Sequence, residues 1–438
     1  MQEPSISKEE HNTRSYWSSR IFIASWIAYA GFYCCRKNIS WTPLPTSSST
    51  FHHGIVSFAN LLTLFGLGYA LGQFVSGWLA DRYGSRSTLL WGGLLSALST
   101  VLISPHMPPI LIIALQTING FGQGFGWPAI NKLFSVWFPH RRRAVITAWW
   151  STSYVLGGFL ATALASALST TSLVSITTGL RLAIVVPSFV LLLATGYFYW
   201  RVKETPEQAG LHPTNNLSVE ELVETSTNKS WMPILRNREI QLLATMYFFL
   251  KMTRYALLFW LPLYLVETQH SSKRIALSTA SLFELTGFIG ALIAAYVSDK
   301  LLQNRRYPVG STMMFLAAFA FLLHPLVSTA GWWALSISIS IIGILIYGPD
   351  VLMASTAVLD AVPSTQAGRA SGYVDGVGSI GQMLSPIVVM QCAHWFGWNS
   401  IFNLFVVCSL IAGSLLATRW DSQPNPKASV SRNALSAL

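Results

Sequence analysis

The sequence predicts an all-α membrane protein, with about twelve transmembrane helices in two pseudo-symmetric six-helix halves. Three observations carry this. Of 438 residues, 52% are hydrophobic and only 10% are charged, where soluble domains carry about 25% charged residues. Apolar stretches long enough to cross a bilayer follow one another along nearly the whole chain. Finally, a set of polar landmarks in the first half recurs in the second at almost constant spacing.

Spanning helices are expected near 20–45, 55–80, 87–104, 109–137, 144–168 and 179–200, then near 239–266, 276–299, 308–328, 332–358, 367–391 and 397–418. The halves become 1–200 and 239–418, joined by the hydrophilic linker 201–238 and followed by a polar tail, 419–438. The first twenty residues are polar and no small-residue cleavage site follows a short apolar core. Residues 21–35 therefore read as the start of a retained membrane helix rather than a signal peptide.

The formal charge of +11 raises the question of nucleic acid. Its distribution answers it. With both termini in the cytoplasm, the cytoplasmic loops and tails hold most of the Lys and Arg residues, including Arg82, Arg86, Arg141, Arg142, Arg143, Lys203, Arg236, Lys300 and Arg306, whereas the opposite loops hold only Lys273 and Arg274. This is the positive-inside pattern, so the charge reports topology and no nucleic-acid partner is expected. Short termini and compact loops suit a bacterial inner membrane, and a monomer is expected. Cys34, Cys35, Cys392 and Cys408 lie in or beside apolar stretches without metal-ligand spacing, so they read as buried thiols, and no metal or cofactor is expected.

The repeat has a register. Gly77-Trp78-Leu79-Ala80-Asp81-Arg82 in one loop matches Ala295-Tyr296-Val297-Ser298-Asp299-Lys300 in another, with the aspartates 218 residues apart. Arg36 and Arg254 are also 218 apart, and Gly126-Trp127-Pro128 precedes Tyr347-Gly348-Pro349 by 221. Parallel six-helix repeats of this kind, and the Asp-Arg and Asp-Lys loops, resemble the major facilitator superfamily, which implies a substrate site near the midplane between the halves. Asp81–Arg82 and Asp299–Lys300 are expected to latch one state of the cycle.

A charged side chain at bilayer depth costs at least about 2.5–3.5 kcal/mol, so it faces a cavity or a partner. Arg36 and Arg254 would each present one guanidinium to the central cavity from pseudo-symmetric helices. Two unpaired arginines there repel unless an anion bridges them, and a guanidinium fork matches phosphate oxygens. Alternatively each arginine pairs with a buried acid such as Glu284 or Asp350. Lys37 points away from Arg36 and is expected to snorkel or to pair elsewhere. Lys251 shares a face with Arg254 and adds positive potential. Tyr33 and Tyr255 flank the arginines as wall residues or as packing. Glu284 either pairs with a basic residue or hydrogen-bonds a sugar hydroxyl. Asp350 and Asp375 are expected to pair structurally, with Lys132 or Lys251, and Trp127 and Pro128 to shape helix 4.

Tyr33-Cys34-Cys35-Arg36-Lys37-Asn38, Gly122-Gln123-Gly124-Phe125-Gly126-Trp127-Pro128, Leu250-Lys251-Met252-Thr253-Arg254-Tyr255 and Ile346-Tyr347-Gly348-Pro349 resemble the organophosphate:phosphate antiporters, in order along the chain. That resemblance implies exchange of a phosphate ester for inorganic phosphate by alternating access, with Arg36 and Arg254 binding phosphate. Gln73 stands where the glycerol-phosphate member has a lysine, and Ser153 where it has a phosphate-site histidine. Ser151-Thr152-Ser153 is closer to the glucose-6-phosphate translocase, so a hexose 6-phosphate is the expected ester. The resemblance also implies two alternatives: a membrane sensor of external hexose phosphate, as in some relatives, and, from the wider superfamily, a proton-coupled carrier of another organic anion. No enzyme is expected. The glycine run 120–126 lacks the Lys-Ser/Thr ending and the preceding strand of a phosphate loop, and instead permits close helix packing.

Overall fold

The computed structural model describes residues 8–36, 51–104, 107–170, 176–212, 230–269 and 273–422. Lys37, the middle of the 201–238 linker and most of the terminal tail lie outside them. Twelve helical spans appear among the described residues. In the first half these are α1 (Lys8–Arg36), α2 (Phe51–Tyr83), α3 (Ser85–Val101), α4 (Pro109–Gln123, resuming as Gly126–Trp137), α5 (Arg143–Trp150, resuming as Thr152–Thr170) and α6 (Ile176–Arg201). The second half holds α7 (Arg238–Gln269), α8 (Lys273–Tyr296), α9 (Arg306–Val327), α10 (Trp332–Val351, extended to Asp360), α11 (Ala367–Phe396) and α12 (Ser400–Ala417). A short linker helix, Met232–Arg236, leads into α7.

Nine of these are long and apolar enough, by length and composition, to cross a membrane among the described residues. The other three have visible reasons for falling short. α1 mixes its apolar residues with Ser, Tyr and Arg, α3 is 17 residues long, and α4 is interrupted by a turn at Gly124 and Phe125. In a bilayer the backbone must satisfy its own hydrogen bonds. Here the turn does so, with the Gly124 N–H donating to Gly120 O at 3.0 Å and the Phe125 N–H to Gly122 O at 3.1 Å.

The first helix begins earlier than the apolar stretch suggests. Residues 8–20 extend α1 because they have tertiary partners. Arg14 donates to His212 O at 2.5 Å, and Trp17 packs on Trp137 and beneath the Lys203 ammonium.

The glycine run of α4 is a packing surface, as expected. A Cβ on Gly120 would strike the backbone of Phe65, and one on Gly122 would lie 2.7 Å from Gly92 O. The two halves meet most extensively along α2 and α11. There Gly77 faces Gly368 and Gly372 so closely that a Cβ would sit 3.0 Å from the Gly372 Cα. With no hydrophobic force between helices inside lipid, such close approach is what holds them together.

α10 ends in a widened π turn, Leu352–Ala357. A π turn displaces one carbonyl from the regular ladder. Ala354 O is used across the boundary between halves, accepting from Asn131 Nδ2 at 3.1 Å and Trp127 Nε1 at 3.3 Å.

Candidate functional site: a tyrosine-lined cavity with two unlike arginines

The periodicity of two helices builds the site. On α1, Tyr29, Tyr33 and Arg36 recur at intervals of four and three and so share a face. On α7, Tyr247, Lys251, Arg254 and Tyr255 do the same. Both faces turn toward a small cavity of about 20 Å³ between the halves, lined by Tyr29, Tyr33, Tyr69, Tyr154, Lys251 and Arg254 among others.

Arg36 is held by neutral groups. Its Nε donates to Gln123 Oε1 at 3.3 Å and its Nη2 to the Tyr69 hydroxyl at 3.1 Å. Its guanidinium carbon lies 4.3 Å from the Tyr33 ring centre and 4.7 Å from that of Tyr69. Gln123 is itself oriented, donating from Nε2 to Phe32 O at 3.0 Å and to Ser96 Oγ at 2.9 Å. A guanidinium has five N–H donors, so the remaining hydrogens of Arg36 have no protein acceptor among the described residues. No carboxylate lies within ion-pair distance of it there.

Arg254 sits in a different environment. Its Nη1 donates to Asp350 Oδ2 at 2.5 Å, and Asp350 Oδ1 accepts from the Tyr247 hydroxyl at 3.1 Å. The guanidinium lies 4.2 Å from the Tyr347 ring centre and 5.4 Å from that of Tyr255. Its Nε is buried without a hydrogen-bond partner. Lys251 Nζ donates to Ser379 Oγ at 2.9 Å and stands 3.7 Å from Asp375 Oδ1. Asp375 also accepts from Ser371 Oγ at 3.0 Å.

The expectation of two unpaired arginines is corrected here. Arg254 is paired, and the acid is Asp350, one of the two candidates. Asp375 pairs with Lys251 as anticipated, whereas Lys132 turns to Asp81 at 3.3 Å.

The end of the molecule carrying the α2–α3, α4–α5, α8–α9 and α10–α11 loops is closed by bonds between halves. Asp81 accepts from the Gly368 and Arg369 N–H groups at 3.0 Å each, at the start of α11, and from Arg369 Nε at 3.0 Å. Asp299 accepts from the Val145 N–H at 3.1 Å, at the start of α5, and is paired with Arg306. Each carboxylate thus meets the positive end of a helix from the other half, and the two arrangements are related by the same pseudo-symmetry. Asp360 adds contacts to His140 at 2.9 Å, Arg143 at 3.4 Å and Arg306 at 3.2 Å. The sequence neighbours of the two loop acids take no part in these bonds. Arg82 lies over the rings of Trp78 and Tyr83, and Lys300 is exposed.

A profile described as Major Facilitator Superfamily matches residues 21–374 and 345–437. The chain belongs to this superfamily. As a member it aligns over nearly its full length with curated relatives. It is 26% identical over 439 residues to a "Probable hexose phosphate transport protein" of Chlamydia muridarum, covering 96% of this chain and 94% of that one. It is 25% identical to a "Glycerol-3-phosphate transporter" of Bacillus subtilis, covering 92% of each. To the "Membrane sensor protein UhpC" of Salmonella typhimurium it is 28% identical, covering 93% and 92%. The superfamily fold is also seen in a solved proton:xylose symporter, XylE, with a TM-score of 0.76 at 14% identity, covering 97% of this chain and 99% of that one.

Among the site residues expected from sequence, Tyr33, Lys251, Arg254 and Tyr255 line this cavity, and Arg36 lies directly behind its Tyr33 and Tyr69. Glu284 is half-buried on α8 and close enough to act electrostatically on Tyr347. Gln73 and Ser153 are fully buried in the helix packing. Gln73 Oε1 accepts from Ser379 Oγ at 2.6 Å, and so touches Lys251 through that serine. The Ser153 hydroxyl has no hydrogen-bond partner. Trp127, expected only to shape α4, lines the cavity. Tyr29, Tyr69, Tyr154, Tyr247 and Gln123 were not anticipated. For Tyr29 and Tyr247 a signal existed, since each precedes its arginine by seven residues on the same helical face.

Proposed function

We propose that this chain is a transporter, not an enzyme, that exchanges an organic phosphate ester, a hexose 6-phosphate by first expectation, for inorganic phosphate. The observation that carries this is Arg36. It is a guanidinium at membrane depth, half-buried, with spare donors and only neutral partners among the described residues. Phosphate oxygens complete its hydrogen bonds and its charge. The relatives named as hexose phosphate and glycerol-3-phosphate transporters support the same ligand class.

In this reading the basic loop face lies in the cytoplasm of a bacterial inner membrane, with both termini on that side, and the carrier works as a monomer. The halves, residues 1–200 and 239–418, rock about the cavity while the 201–238 linker tethers them. Phosphate lands on Arg36 and draws Arg254 across from Asp350. The two guanidiniums then approach each other only when an anion lies between them. An empty carrier keeps Arg254 on Asp350 and reorients slowly, which makes transport an exchange. The Asp81 and Asp299 contacts hold the cytoplasmic side shut in the opposite-facing state.

The test is phosphate-loaded proteoliposomes challenged with external phosphate and hexose 6-phosphate. Wild type should release labelled phosphate, and Arg36→Ala should not. Unimpaired exchange by Arg36→Ala overturns the proposal. The 28% identity to a membrane sensor favours a second reading, a sensor of external hexose phosphate. It predicts ligand binding without appreciable flux in the same vesicles.

A further inference from the structure

The cavity contains more acid than a phosphate seat needs. Lys251, Arg254, Asp350 and Asp375 line it, and Arg36 packs against its Tyr33 and Tyr69, so the group carries a single formal positive charge. A phosphate monoester carries about −1.5 to −2 charge near neutral pH, so a neutral-bodied ester leaves the loaded site negative.

Geometry places the problem at Asp350. Once phosphate draws Arg254 away, Asp350 keeps the Tyr247 hydroxyl at 3.1 Å. The next cation, Lys251, is already held by Asp375 and Ser379. A buried carboxylate without a cation is strongly unfavourable. The walls around it accept cations. Lys251 Nζ lies 4.9 Å from the Tyr247 ring centre and 5.5 Å from that of Tyr69, and tyrosine faces of this kind bind ammonium groups.

Resting on the phosphate-exchanger reading, we infer that the organic half of the preferred substrate carries an ammonium group. The ligand class is a zwitterionic phosphate monoester, such as an aminohexose phosphate. Its phosphate sits on Arg36 and its ammonium beside Asp350 and Asp375. Net charge then balances, and the acid released by Arg254 gains a partner supplied by the ligand.

The test uses the full chain in proteoliposomes loaded with labelled phosphate. External phosphate, glucose 6-phosphate and glucosamine 6-phosphate are compared; the two sugars differ only by an ammonium in place of a hydroxyl. Glucosamine 6-phosphate should drive half-maximal efflux at a concentration about tenfold lower or more, the scale of one charge-assisted hydrogen bond. Raising the pH until the ligand amine is neutral should erase that ratio in wild type, with glucose 6-phosphate as the control at each pH. Asp350→Asn and Asp375→Asn should each shrink it. Equal potency of the two sugars, with phosphate self-exchange intact, overturns this inference and leaves the exchanger reading standing. Glucose 6-phosphate exchange that accelerates on acidification, and loses this dependence in Asp350→Asn, also overturns it, because a proton then fills the place assigned to the ammonium. Absence of phosphate self-exchange in wild type overturns both readings.

Discussion

Arg36 and Arg254 occupy equivalent positions in the two halves, yet they are stabilised by opposite means. Arg36 rests on an amide oxygen, a phenol and two ring faces. Arg254 has the ring of Tyr347 and a carboxylate. Neutral partners solvate a guanidinium without cancelling its charge, so the first half keeps its attraction for an anion. A carboxylate cancels it, so the second half must exchange one anion for another. In the proposed exchange the difference makes the halves unequal partners: one receives the ligand, and the other is recruited by it.

Substitutions at six positions break or sharpen this contrast. The largest effect is expected from Arg36→Ala, which should reduce phosphate exchange in proteoliposomes by at least about a hundredfold, the loss of a charged bidentate contact. Arg36→Lys should recover only a minor part, because an ammonium cannot replace the fork.

Asp350→Asn comes next. It removes the counter-charge of a buried guanidinium, a change of about 3–5 kcal/mol in folded proteins. Melting of the purified variant should fall clearly below wild type without ligand, and added phosphate should raise it more than it raises wild type. An unchanged melting temperature would show that Arg254 does not depend on Asp350.

Asp81→Asn should shift the carrier away from the state with the basic face closed. It weakens the contacts to Arg369 and Lys132 while leaving the cavity intact. Cysteine accessibility on the α2 and α11 faces, compared with wild type, reads this directly, and unaltered labelling on both sides would remove the latch from the mechanism.

Gln123→Leu should raise the phosphate concentration for half-maximal exchange by about two- to tenfold, the scale of one neutral hydrogen bond. The matching change on the other side, Tyr247→Phe, should have less effect on phosphate, since it touches the acid and not the ligand seat.

The smallest effect lies outside the membrane. Glu204 caps α3, accepting from the Ser85 and Arg86 N–H groups at 2.9 and 2.6 Å. Glu204→Ala should lower stability by about 0.5–2 kcal/mol, as for other lost caps. Burial holds the Glu204 carboxyl above the usual range, against the lowering effect of its two backbone hydrogen bonds. Its folded form binds a proton more readily than the unfolded chain, so its contribution to stability weakens as pH rises through the folded value. A melting curve for wild type against Glu204→Ala across mildly acidic pH checks the sign.

Much of this protein was legible in the chain itself. Hydropathy is a local sum over residues, so the succession of helices and their repeat could be read directly, although only nine of the twelve pass on length and apolar composition. The 218-residue offset located both arginines, because a repeat preserves register. Helical periodicity would also have delivered Tyr29 and Tyr247. Partner choice was not legible. Asp350 lies 96 residues from Arg254, and Gln123 lies 87 from Arg36, and no pattern along the chain ties one acid to one base. Only the packing of α10 against α7 gives Arg254 its carboxylate, and only the glycine-lined approach of α4 to α2 and α3 brings an amide oxygen to Arg36. The sequence by itself determined a two-fold repeat with one arginine in each half. The tertiary structure decided that, among the described residues, one keeps neutral partners and the other gains a carboxylate, because electrostatic pairing depends on distance in space, which the sequence does not record.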